Sequence, residues 1–230
     1  VTATLLLDLA AGRDGRPEAD ERPRPTFQHL ARRDGGVAQR CVARVEQVAV
    51  EMLLVGTPQG KTLTVDAAMA RVKEAIASGA ALAKFRAFVV AQGGDGALVD
   101  EPARLPHAPA VVAVPAPQAG IVQAVDSRAI GLAVVALGGG RQKKGDPIDY
   151  GVGVMVHAKV GDAVAAGAPL CTVYAANVAA AQQFSGQIAA AYTLGDAPRA
   201  PLPIVYARVT ADGIEDFTAN VTTPSSLVRQ

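Results

Sequence analysis

The spacing of hydrophobic positions changes partway along the chain. Val45, Val48, Ala49, Met52 and Leu53 follow i, i+3, i+4, i+7 and i+8, which places them on one face of a helix. Gly56 and Pro58 end that helix. A second helix is predicted from Thr64 to Ser78, with Thr64 as cap, Asp66 in the first turn, and Val65, Met69, Val72 and Ile76 sharing a face. Gly79 breaks it, and a third helix runs from about Ala80 to Ala91, with Leu82, Phe85 and Val89 inward, before Gly93-Gly94.

After Gly120 the period becomes 2. Val122 and Ala124 alternate with Gln123 and Val125, and Val152, Val154 and Val156 alternate with Gly153, Met155 and His157. Gly145-Asp146 and Gly161-Asp162 read as turns between short strands. Ala175 to Phe184 reads as a short helix, and Ile188 to Leu194 and Ile204 to Val209 as further strands. Between the two patterns lie Pro102, Pro106, Pro109, Pro115 and Pro117; lacking amide donors, this stretch is expected to be extended and peripheral. From Asp14 to Arg40 there is no sustained period, only Arg, Pro and Gly pairs, so loop is expected there. The predicted organisation is an irregular segment over 1–42, helices over 43–100, a Pro-rich connector over 101–118 and a mainly antiparallel α+β domain over 119–230.

Composition narrows this picture. Half of the residues are hydrophobic, with no Trp, 5 Phe and 4 Tyr, so the core must be built from small aliphatics. A net charge of +1, with both signs interspersed, gives no footprint for nucleic acid. Cys41 and Cys171 are far apart, which argues against a disulfide framework and for reduced, buried thiols in a cytoplasmic chain. No apolar run reaches the ~18 residues of a membrane span. The opening VTATLLLDLAAG has no basic region before its apolar run, so it is not read as a secretory signal, and the missing Met makes the chain read as an excerpt.

Two constellations stand out. In Lys159-Val160-Gly161-Asp162, continuing to Gly167-Ala168-Pro169-Leu170, Gly161-Asp162 makes one tight turn and Gly167 another, with Val160, Val164 and Leu170 inward. Such spacing occurs in biotinyl or lipoyl carrier domains, but Lys159 has no adjacent Met as an attachment lysine would. In Gly138-Gly139-Gly140-Arg141, followed by Asp146 and Asp149, the glycines permit positive φ or close backbone approach. A phosphate cradle is one reading. No Lys-Ser/Thr follows, so it is no P-loop, and a tight turn with Arg141 paired to Asp146 or Asp149 is the reading preferred. His29, His107 and His157 lack metal spacing, and no Ser-His-Asp or Cys-His arrangement stands out. Asp126, Asp146, Asp149 and Asp162 are turn residues before they are acids or bases. No catalytic, substrate-binding or metal-ligating residue and no cofactor is assigned.

The string Ala77-Ser78-Gly79-Ala80-Ala81-Leu82-Ala83-Lys84-Phe85, then Ala91-Gln92-Gly93-Gly94-Asp95, resembles thymidine and pyrimidine-nucleoside phosphorylases. Val114 to Pro117, Gly120, Ala129 to Gly131, Leu137 to Arg141, Asp146 to Asp149, Val152-Gly153, Val160 to Leu170, Leu194 to Asp196 and Pro201-Leu202 continue the resemblance in order. It implies a barrel-sandwich, hammerhead-like C-terminal domain, a homodimer, and cleavage of a pyrimidine nucleoside by inorganic phosphate to free base and pentose 1-phosphate. Gly138, Gly139, Gly140, Arg141, Asp146, Asp149, Gly161, Asp162 and Gly167 are then structural motif positions.

The resemblance also implies what is not here. That family holds phosphate on a Lys-x-Ser-Thr-Gly-Gly loop and the base on an Arg, a Ser and a Lys. Val1 to Thr4 resembles the stretch just after the Arg, Leu7 stands where the Ser would be, and no Lys occurs before Lys61. The stretch from Leu5 to Arg44 does not resemble the family, and deletion with a shifted reading frame is the expected origin. The expectation is a chain inactive alone; the alternatives are a non-catalytic dimerisation module and, further off, a carrier domain.

Overall fold

The second helix starts where its cap demands. Thr64 takes an extended backbone and its hydroxyl accepts the amide of Ala67 at 3.2 Å, ahead of α2 (Val65–Ala77). In the computed structural model, which describes residues 35–56 and 62–218, α2 is preceded by α1 (Gly35–Gly56) and followed by α3 (Ala80–Ala91). The side chains of residues 35–43, Cys41 among them, lie outside the described residues, as do most of the irregular segment expected over 1–42 and the residues after 218.

Among the described residues the chain divides into two units. One takes α1, α2, α3 and residues 203–218; the other takes residues 105–202. In the first, α2 packs on both α1 and α3, and the inward residues expected of α2 and α3 are half-buried, apart from exposed Val65. Two expectations for α1 fail. It begins at Gly35, inside the stretch read as loop, and among its described side chains the buried one is Val50, while Val48 and Met52 are exposed. Apolar residues surround the second half of α1 nearly all the way round, so period alone did not select a face.

The same unit holds a hairpin of β7 (Ala207–Thr210) and β8 (Gly213–Asp216), which lies inside the stretch read as one domain over 119–230. Arg208 ties it to α1: Nε and Nη2 donate to the two Glu51 carboxylate oxygens at 2.8 and 2.9 Å. Its Nη1 donates to Glu215 at 2.8 Å, and its guanidinium lies 5.4 Å from the Phe217 ring centroid.

The second unit has strands β1 (Ala110–Pro115), β2 (Gly120–Val125), β3 (Gly153–Val156), β4 (Ala163–Val164), β5 (Pro169–Ala175) and β6 (Tyr192–Gly195). They form two open antiparallel sheets, ordered β1-β5-β3 and β4-β2-β6. Neither sheet closes among the described residues, which corrects the expected barrel-sandwich. The strands other than β1, β2 and β5 have four residues or fewer, and helix α5 (Val178–Ala190) packs on β1 and β5 of one sheet and on β6 of the other.

Other corrections have local causes. The Pro-rich connector is extended and peripheral only in part: Pro102–Arg104 forms a 3-10 turn and residues 103–107 are exposed, but Val114 of β1 is fully buried, with Pro115 at the strand's bulged end, where a missing donor costs least. Helix α4 (Ser127–Val134) interrupts the expected run of strands because Asp126 caps it, accepting the Ala129 amide at 2.9 Å. Ile188 lies in α5, not in a strand; Asn177 caps that helix through the amide of Ala180 at 2.8 Å. One core joins these elements: Val114, Val122, Ile130, Leu170, Val173 and Ile188 are its larger aliphatic members.

Candidate functional site

The glycine-rich loop grows out of α4. The helix widens into a π turn over Val135–Gly139, and Gly138, at φ 102, breaks it. Gly139 and Gly140 serve a different need: a Cβ on either would meet the Val134 or Val135 side chain at 2.8 Å. The loop closes where the Asp149 amide donates to the Gly138 carbonyl at 2.9 Å. Within it, one Asp146 carboxylate oxygen accepts the amides of Gln142 and Lys143 at 3.2 and 3.0 Å. Arg141 reaches Asp146 as the sequence suggests, but its Nε donates to the backbone carbonyl at 3.2 Å. The Asp149 carboxylate turns to the Gly151 amide at 2.9 Å.

This geometry bears on the phosphate-cradle reading. A cradle needs converging backbone amides aimed at an incoming anion. Here the chain's own carboxylate, Asp146, already occupies two of them. Arg141, Lys143 and Lys144 are exposed around the turn.

The other motif is stitched to the strands. Gly161, at φ 91, donates its amide to the Val122 carbonyl, and the Val122 amide donates to the Asp162 carbonyl, both at 2.9 Å. The Asp162 carboxylate accepts the Lys159 amide at 3.0 Å. Gly167, at φ 78, donates to Ala116 at 2.9 Å, and Ala116 returns a bond to Ala168 at 2.8 Å. Of the nine motif positions, those from Gly138 to Asp149 lie in one loop, Gly161 and Asp162 in the turn before β4, and Gly167 in the turn after it.

Titratable side chains lie on and against β5: Cys171 belongs to it, and His157 and Tyr192 bond to its residues. Cys171 has no exposure, and desolvation pushes its thiol from 9.0 up to about 11. Burial also raises Tyr192, with the neighbouring Cys171 adding to it, and Tyr192 donates its hydroxyl to the Leu170 carbonyl at 3.3 Å. His157 Nε2 is 2.7 Å from the Thr172 hydroxyl. A protonated thiol without access is no nucleophile at neutral pH. The sign of its effect on stability follows from linkage. Between pH 9.0 and about 11 the unfolded chain releases this proton while the folded chain keeps it, so stability declines as pH rises through that window. Urea midpoints should therefore fall from pH 8.5 to pH 10.5, and fall less in Cys171→Ala; equal slopes would contradict the assignment.

An open depression of about 220 Å³ lies on the β7–β8 hairpin, lined by Arg208, Thr210, Asp212, Gly213, Ile214 and Glu215. Its guanidinium is committed to Glu51 and Glu215, so it offers no free cation to an anionic ligand. Sequence reasoning missed this ion-pair cluster, because nothing local links Glu51 to Arg208. Among the described residues, no group of three or more His, Cys, Asp or Glu is placed to hold a metal, and no helix is long and apolar enough to cross a membrane.

Comparison with known proteins places these turns in a family context. Residues 121–195, from β2 to the end of β6, match the pyrimidine nucleoside phosphorylase C-terminal domain. The chain is 45% identical over 163 residues to a thymidine phosphorylase of Burkholderia cenocepacia (strain J2315), covering 70% of this chain and 36% of that protein. It is 46% identical over 165 residues to a thymidine phosphorylase of Burkholderia orbicola (strain MC0-3), with the same coverage. A pyrimidine-nucleoside phosphorylase of Bacillus subtilis (strain 168) is 46% identical over 115 residues, which is 50% of this chain and 27% of that protein. The matches thus span about a third of these relatives.

Proposed function

Because residues 121–195 match the C-terminal domain of pyrimidine nucleoside phosphorylases, we propose that this chain is the C-terminal portion of such an enzyme and has no activity by itself. The reaction it would serve is reversible phosphorolysis. The bond between a pyrimidine nitrogen and the anomeric carbon breaks, a phosphate oxygen bonds to that carbon, and the base leaves with a proton. Such chemistry depends on holding phosphate in line with the sugar and on stabilising charge on the departing base.

The observation that carries the reading is the use of the motif residues. In the matched stretch the glycines and aspartates are spent on turns, and the amides nearest to an anion cradle are satisfied by Asp146. Positioning contributes about 7–11 kcal/mol to reactions of this kind. A chain without the phosphate loop is therefore expected to fall short of an intact phosphorylase by about 10⁵-fold or more. Incubation of the chain with thymidine and inorganic phosphate, followed for free thymine, tests this. Thymine release at an ordinary enzymatic rate would overturn it. The reading includes a cytoplasmic location and places no cofactor in the reaction.

A second reading, a dimerisation module, is favoured by α1, where Val48, Met52 and Val55 share one exposed face. Light scattering on the purified chain decides whether it pairs with itself.

A further inference from the structure

The β7–β8 hairpin is formed yet almost wholly in water. Of residues 206–216, Arg208 alone is not exposed. All four residues of β8 are exposed, and the cross-strand partners Val209 and Ile214 are 63% and 73% exposed. A two-stranded hairpin with no apolar face to bury is marginal in water. Between its ends, the hold on α1 passes through Arg208. Nε and Nη2 of that side chain take both carboxylate oxygens of Glu51. Paired in this way the Arg208 and Glu51 side chains are 21% and 18% exposed, and the guanidinium lies over the Phe217 ring. Two parallel charge-assisted bonds, largely shielded from water, hold better than an ordinary exposed ion pair.

The hairpin is also a piece in itself. The Phe217 amide donates to the Tyr206 carbonyl at 2.8 Å and closes its base. Arg208 Nη1 reaches Glu215, its partner across the two strands, in a contact internal to the hairpin. Residues 203–205, which lead into it, are half-buried and mark where it joins the rest of the unit. Segments that open without global unfolding are those with few buried apolar contacts and with backbone bonds in solvent. The hairpin meets both conditions. We infer that residues 206–217 form a latched strap: they leave α1 as one piece while α1, α2 and α3 stay folded, and the Arg208–Glu51 pair sets how often that happens. Opening returns the Glu51 carboxylate to water and frees Arg208 to keep Glu215 alone. The strap is independent of the functional reading above.

Native-state amide exchange on the full chain tests this, with peptides from the strap and from α2 followed together. In the unaltered chain the strap should exchange at least tenfold faster than α2, yet at least tenfold slower than a free peptide of the same sequence. Glu51→Gln keeps the size of the side chain and removes its charge. It should speed exchange of the strap at least threefold and leave α2 within twofold, and Arg208→Gln should do the same. Glu215→Gln, which cuts the internal contact at a side chain 59% exposed, should change exchange of the strap less than twofold. Loss of α2 protection in step with the strap, in either latch variant, would make the hairpin an integral part of the helical unit and overturn the inference; a variant that fails to fold gives that same result. An unchanged strap in Glu51→Gln would overturn it too, as would equal effects of Glu51→Gln and Glu215→Gln. So would a strap that, in the unaltered chain, exchanges as slowly as α2 or as freely as the peptide.

Discussion

Gly161→Ala is expected to destabilise the β unit by about 2–5 kcal/mol, seen as a lower urea midpoint at an unchanged slope. Two costs combine. At φ 91 an alanine sits where its Cβ crowds the backbone, which costs roughly 1–2 kcal/mol. Its methyl would also lie 2.8 Å from the Arg199 carbonyl oxygen and 2.9 Å from the Pro201 nitrogen, both main-chain atoms that cannot rotate away. Overpacking of that kind adds about 1–3 kcal/mol. Gly167→Ala separates the two contributions, because Gly167 has φ 78 and nothing within 4 Å of an added Cβ. It should show the conformational cost alone. Equal losses at the two positions would mean that the contact with Arg199 and Pro201 does not hold the turn.

Leu170→Ala is expected to cost about 2–5 kcal/mol, the usual range for emptying a closed aliphatic site. Leu170 has no exposure and belongs to the central cluster. Its carbonyl gathers the amides of His157 and Ala158 at 3.0 Å and the Tyr192 hydroxyl at 3.3 Å. A collapse that filled the void would have to pull this junction apart, so little relaxation is available. Leu132→Ala, at a position 55% exposed, should stay within about 0.5 kcal/mol. A small loss at Leu170 would show that the two sheets and α5 repack freely.

Much of the turn chemistry was legible from residue types. Gly145, Gly161 and Gly167 take the positive φ that only glycine accepts cheaply, and Thr64 caps its helix as hydroxyl residues do. Helices were harder where their signals were tertiary. Asp126 could have announced α4, but Gly131 and the neighbouring alternation masked a helix of eight residues. Ile188 reads as well in a strand as in a helix, and packing under β1 and β5 decides it. The exposed face of α1 was misjudged because apolar residues occur nearly all round it. For the candidate site, the residue pattern located the Gly138–Asp149 loop but not the direction of its carboxylates. Whether Asp146 faces Arg141 or the loop amides depends on backbone geometry that no spacing rule specifies. The Glu51–Arg208 pair, 157 positions apart, had no local sign at all.

That pair has a practical consequence for anyone dissecting the chain. The helical unit is discontinuous in sequence, since the polypeptide leaves it near residue 104 and re-enters it at 203. A single cut in the proline stretch would strand the hairpin on the wrong fragment, leaving Glu51 with no guanidinium and Arg208 with Glu215 alone. Splitting the molecule cleanly calls for two cuts, with the severed helical ends rejoined by a short linker and residues 105–202 produced as a separate piece.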